Sequence, residues 1–197
     1  MNTFLTISIA AIFFSSCNLA PEKENATLKN NEYFDIEEFI DHQIDLLNSL
    51  DIKLSKTVML NNKKETKILE HIDWKKELVL FKELNVNKLS VRDSYEEDII
   101  SDPVNKTLVK NYTPLDPELK IKFLKIVLSV NNEVNSIEGR LFDENALYKS
   151  EKQLKLTCKQ GMGGEVIIDN YEISGYQKII LMDAFYYEIR SEILYNE

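Results

Sequence analysis

The sequence predicts an α+β fold in which two N-terminal helices pack on a curved antiparallel β-sheet. Three observations carry that expectation. The clearest apolar period of three and four residues lies between residues 34 and 50, and a shorter one follows between 74 and 84. After about residue 120 the apolar positions alternate with period two, interrupted by polar or glycine-bearing turns. Helices early and strands late, with no helix between consecutive strands, point to an antiparallel meander covered on one face.

The first helix is written in "FDIEEFIDHQIDLLNSL", where Ile36, Phe39, Ile40, Ile44, Leu47 and Leu50 form one stripe. Asp35 is a fitting N-cap, and Glu38 three residues on completes a capping-box-like pair. The opposite face holds Glu37, Glu38, Asp41, His42 and Asp45. Next, "IKLSKTVML" places Ile52, Leu54, Val58 and Leu60 on one side of a strand. The polar turn "NNKK" then leads into "ETKILEHI" as a hairpin. A second helix runs from about Trp74 to Leu84, opened by Asp73, with Trp74, Leu78 and Phe81 facing the core.

"KIKFLKIVLSV" reads as the longest apolar strand, and its alternation changes phase at Phe123–Leu124, which predicts a bulge or burial on both faces. Further segments follow near 134–142, 145–158, 165–174, 176–182 and 184–194. "KQGMGGEV" holds three of the five glycines and reads as a turn between two long strands. It lacks the GK[ST] ending of a phosphate loop, and its flanks are strands on both sides. A partly closed barrel and a cystatin-like layer both fit this pattern. Residues 34–197 form one α+β domain in this reading, large enough at 44% hydrophobic content to bury a sizeable core.

Composition removes some functions. A formal charge of −9 opposes nucleic-acid binding, which needs a basic surface to neutralise phosphates. Two cysteines, Cys17 and Cys158, exclude a disulfide framework. Glu38, His42 and Asp45 project from one helical face and are the best candidates for a divalent-metal site, yet the same residues make an ordinary solvated acidic face. Cys158 shares a strand face with Leu154 and Leu156, which predicts a buried, inert thiol. The chain carries no G-x-S-x-G or H-E-x-x-H motif, and no cofactor is implied. Tyr171, Tyr176, Phe185, Tyr186 and Tyr187 cluster in the last strands, either as core or as the lining of an apolar cavity.

The N-terminus carries a different kind of signal. Residues 1–17 contain no charged side chain, and the apolar run from Phe4 to Phe14 ends in "SSC". As a helix that run is about 16 Å long, too short for a hydrocarbon core of about 30 Å but suited to a secretory h-region. "FSSC" resembles the lipobox of bacterial lipoproteins, with Phe14 where Leu, Val or Ile is usual and no Lys or Arg before the apolar run. With the Asn-, Lys- and Ile-rich body, it is similar to lipoproteins of Bacteroidota. The resemblance implies that residues 1–16 are a signal peptide and that the Cys17 thiol receives diacylglycerol. Residues 17–33 then tether the domain to the cell envelope, at the outer membrane.

Together these readings give a lipid-anchored envelope protein with a non-catalytic binding or assembly role. Its partners are the membrane, through the lipid, and a protein. A carrier of an apolar ligand in a curved-sheet cavity is the alternative, and an enzyme comes third.

Overall fold

Asp35 opens the first helix, α1 (Ile36–Asn48), by accepting the Glu38 backbone N–H at 3.0 Å. The computed structural model describes residues 33–161 and 163–195. The buried face of α1 is Ile36, Ile40, Gln43, Ile44 and Leu47, whereas Leu50 lies beyond the helix and is 41% exposed. Gln43 therefore takes the place the apolar period reserves for a hydrophobe. It earns that place by bonding the sheet: its Nε2 donates to the Val166 carbonyl at 2.9 Å and its Oε1 accepts the Ile168 N–H at 2.8 Å.

A tight hairpin follows, β1 (Ile52–Leu60) and β2 (Lys63–Leu69). Its turn is only Asn61–Asn62, with φ of 43° and 72°, the left-handed pair that suits a two-residue hairpin. Lys63 and Lys64 belong to the strand rather than to the turn. A short helix, α2 (Trp74–Leu78), is capped by Asp73 and continues as a 3-10 segment over Val79–Leu84. The sequence reading made this one α-helix. Leu78, Phe81 and Leu84 are spaced by three and all fully buried, and three residues per turn is the period that puts them on one line.

After a further 3-10 turn at Arg92–Ser94 come the strands β3 (Tyr95–Asp102), β4 (Thr107–Pro114), β5 (Ile121–Ser129), β6 (Val134–Glu144), β7 (Tyr148–Gln160), β8 (Val166–Ile179) and β9 (Phe185–Tyr195). All nine strands form one antiparallel sheet in the order β2-β1-β9-β8-β7-β6-β5-β4-β3. The α+β description and the antiparallel sheet hold; β3 to β9 run as a meander, whereas β1 lies beside β9. The sheet is open, so the partly closed barrel is corrected: β2 and β3 are its two edges, and neither pairs with the other. β2 has no fully buried residue, and hence no apolar face to drive closure.

Two further corrections concern strands. The hairpin β3–β4 has no counterpart in the sequence reading. "YEEDIISD" shows no alternation because only Tyr95 is fully buried and most of the strand faces water. The segments read separately as 165–174 and 176–182 are one strand, β8, running through Gly175. That glycine is no turn. It pairs with Lys152, and a Cβ there would lie 2.1 Å from the Glu151 carbonyl oxygen, so it permits a close approach of two backbones.

The phase change in β5 is a bulge between Ile121 and Phe123, which returns Leu124, Ile126 and Leu128 to the buried face. The β7–β8 connection turns at Gly161–Glu165, where the Gly161 N–H donates to the Glu165 carbonyl at 2.8 Å and Gly164 has φ of +80°. The β8–β9 turn places Leu181 at φ of 64°. A leucine in the left-handed region costs about 1–2 kcal/mol. The core lies between the α1–α2 side and one sheet face, built from Leu124, Ile126, Ile137, Leu154, Leu156 and Tyr171 against Ile40, Leu47, Leu78 and Phe81.

Candidate functional site

The acidic face of α1 stands in solvent. Glu38, His42 and Asp45 are all exposed, and their neighbour Asp41 forms an ion pair with Lys82 at 2.5 Å. Among the described residues no group of three or more His, Cys, Asp or Glu side chains is placed to hold a metal ion. Cys17 lies outside the described residues. Cys158 is half-buried on β7, beside a bulge that leaves Asp169 of β8 out of the strand register. Burial, reinforced by the Asp169 carboxylate, pushes its thiol up to about 12. At neutral pH it is a protonated thiol, with little nucleophilic character.

Two partly buried carboxylates each join a tyrosine and a lysine. The Tyr171 hydroxyl donates to Glu77 Oε2 at 2.5 Å, and Lys56 Nζ donates to both Glu77 oxygens at 2.8 and 2.7 Å. One carboxylate thus joins α2, β1 and β8 beneath the helices. Toward the β3 edge of the same face Tyr112 donates to Glu97 Oε1 at 2.6 Å, with Lys110 Nζ 3.5 Å from the same oxygen. Burial, then the bond to the carboxylate, raises both phenols above their ordinary value. Each tyrosine stays a proton donor, and each glutamate is occupied by a cation and a phenol. These arrangements fasten strands together.

Two of the recesses on the surface have linings that bear on a ligand. One, of about 420 Å³, sits between the end of α1 and the β7–β8 turn. Leu46, Leu50, Ile52, Ile167 and Tyr195 give it an apolar lining, and Lys159 stands over the Tyr195 ring at 3.9 Å while pairing with Asp169 at 2.6 Å. That volume falls in the range of small-ligand pockets, about 300–1,000 Å³.

The other, of about 500 Å³, is a groove between Met59, Gln153, Ser174, Tyr176, Tyr186 and Glu188. Its register pairs are Gln153 with Ser174, Ser174 with Glu188 and Tyr176 with Tyr186. The alternating set Leu154, Ile173 and Ile189 points the other way, so this groove lies on the sheet face turned away from the core.

The aromatic cluster of the last strands is therefore divided. Tyr171 is in the core, its ring edge-on to Phe81 at 6.0 Å. Tyr176 and Tyr186 pair at 5.9 Å on the outer groove, and Phe185 stacks with Tyr187 at 6.3 Å. The five do not line one cavity. Sequence reasoning missed Gln43, Glu77 and Lys56. The usable signal was a tyrosine at a core position of a strand, because a buried hydroxyl demands a partner from elsewhere in the chain.

Compared with known proteins, the chain matches no family model, no curated protein and no solved structure.

Proposed function

We propose that this chain is a lipid-anchored protein of the bacterial cell envelope. Residues 1–16 direct export, Cys17 carries the lipid in the outer membrane, and residues 34–197 serve as a non-catalytic binding or assembly domain. The observation that carries this reading is the stretch "FFSSCNLAPE", in which an uncharged h-region ends in small residues, a cysteine and a polar run. The filled core supports a binding module over a carrier, since apolar side chains from helices and sheet occupy the space a lipid would need. Among the described residues no helix is long and apolar enough to cross a membrane.

The test is intact mass after metabolic labelling with a fatty acid. Wild-type protein should lose residues 1–16, gain acyl chains and enter the detergent phase, and Cys17→Ser should abolish all three. An unlabelled mature chain that starts elsewhere overturns the reading.

The carrier remains a second reading because of the apolar recess between α1 and the β7–β8 turn. On that reading the sheet is curved around an apolar ligand seated against Ile52 and Ile167. Native mass spectra of protein purified from its host should then show an apolar adduct, lost on Ile167→Asp. A bare mass refutes it.

A further inference from the structure

The turn between β8 and β9 is built the wrong way round for a surface in water. Residues 179–182 are closed by the Met182 N–H donating to the Ile179 carbonyl at 3.0 Å. The third residue of that turn is the left-handed Leu181, which is 99% exposed. Elsewhere among the described non-glycine residues, positive φ falls to Asn61, Asn62, Asn132 and Lys106, all polar. Only here does an apolar side chain take a strained conformation to stand in solvent, and a strained exposed residue calls for a functional reason.

The neighbours extend the same feature. Ile179, Ile180 and Met182 are 43%, 56% and 62% exposed, so four consecutive aliphatic side chains form the tip. Leu147 is tied to it, accepting the Ile180 N–H at 2.9 Å, and is itself 67% exposed. Beyond the exposed Asp183 and the half-buried Ala184 stand the exposed rings of Phe185 and Tyr186, with Tyr176 beside the latter. Lys149 and Lys178 face each other across β7 and β8 at the same level. Aliphatic residues outermost, with rings and lysines one step behind, are the order found at a membrane interface.

We propose that the β8–β9 tip inserts into the surface of a lipid bilayer, as a contact separate from the N-terminal anchor. The tip projects as the end of a hairpin, so a protein partner would need a matching apolar cavity, whereas acyl chains conform to it. The bilayer as occupant rests on the anchored reading. The sixteen residues from 17 to 32 can extend to about 55 Å, and β8 with its fourteen residues is about 46 Å long, so one membrane lies within reach of both. With a net charge of −9 and only a few lysines near the tip, the contact is driven by apolar burial, and zwitterionic lipid suffices.

The test uses the full chain and its native fluorophore. Trp74 is the single tryptophan and is buried, so it provides a constant background. Leu181→Trp adds a reporter at the tip, and Asn132→Trp adds one at another exposed left-handed turn. Each protein is mixed with phosphatidylcholine vesicles whose acyl chains are brominated. The tryptophan at 181 should shift to the blue and be quenched roughly twofold or more, at low and high salt alike. The tryptophan at 132 should not change.

Equal responses at both sites refute a specific tip contact. No response at 181 while the chain still sediments with vesicles leaves the anchor standing and overturns the tip, which then belongs to a protein partner. A response at 181 together with an unlabelled Cys17 in the fatty-acid experiment overturns the anchor alone.

Discussion

Replacing Tyr171 by phenylalanine keeps the ring against Phe81 and removes one hydroxyl, so it isolates a bond that can also be titrated. In the fold that hydroxyl is 2.5 Å from Glu77 Oε2, and the residue is 2% exposed. Losing a hydrogen bond to a charged group costs about 1.5–3 kcal/mol, and Glu77 keeps its ion pair with Lys56. At about pH 8 the variant should therefore be less stable by roughly that amount.

The pH dependence then runs the other way. Burial and Glu77 raise the folded phenol above the unfolded value of about 10. Such a group contributes stability that is fully present below pH 10 and is lost as pH climbs toward the folded value. The unfolded chain sheds the proton while the fold retains it, at about 1.4 kcal/mol per pH unit. Wild type carries this loss and Tyr171→Phe does not. The deficit should shrink above pH 10 and vanish between about pH 11 and 12. Tyr112, held by Glu97 in the same way, is present in both proteins and cancels.

Guanidinium unfolding followed by Trp74 fluorescence gives both curves. Curves that stay parallel from neutral to alkaline pH, or that diverge, would refute the assignment of a buried, carboxylate-bonded phenol.

Other substitutions should separate neighbours that look alike in sequence. Gly164→Val forces a branched residue to φ of +80° and should cost about 1–2 kcal/mol in thermal or denaturant melts. Gly163→Ala meets nothing within 4 Å at ordinary φ and should stay within about 0.5 kcal/mol. Equal losses at the two positions would contradict the turn geometry. Cys158, with its thiol pushed up to about 12, should alkylate slowly near pH 8 and at the rate of a free thiol only in denaturant, as read from the mass of its own peptide. Rapid labelling of the native chain would show that the thiolate is accessible.

The antiparallel sheet was legible because β5 to β9 each bury alternate residues of one face, and alternation survives in the letters. Where a strand leaves the core that signal fails. β3 has one fully buried residue, so "YEEDIISD" has no face to advertise, and β2's "KKETKIL" was legible only through the turn before it. Gly175 misled for a related reason: a glycine between alternating runs looks the same whether it turns the chain or lets two backbones close in. The polar fasteners were invisible because Glu77 and Tyr171 are 94 positions apart, and no local period links them. The exposed tip was legible as apolar letters in "KIILMDAFYY", but periodicity assigns such letters to the core. Only the folded structure shows Leu181 outside it.

The seam between β1 and β9, where Leu54 pairs with Ile193, also sets the order in which this protein can be made. From β3 to β9 every strand pairs with the one just synthesised, so those hairpins need only short loops to close. The β1–β2 hairpin forms early but has no place to dock until the final eleven-residue strand has been delivered. During synthesis β1 and β2 must wait for β9. A nascent chain halted before Phe185 would hold a growing sheet with an unfilled edge. The step most exposed to proteases and chaperones is thus the arrival of β9.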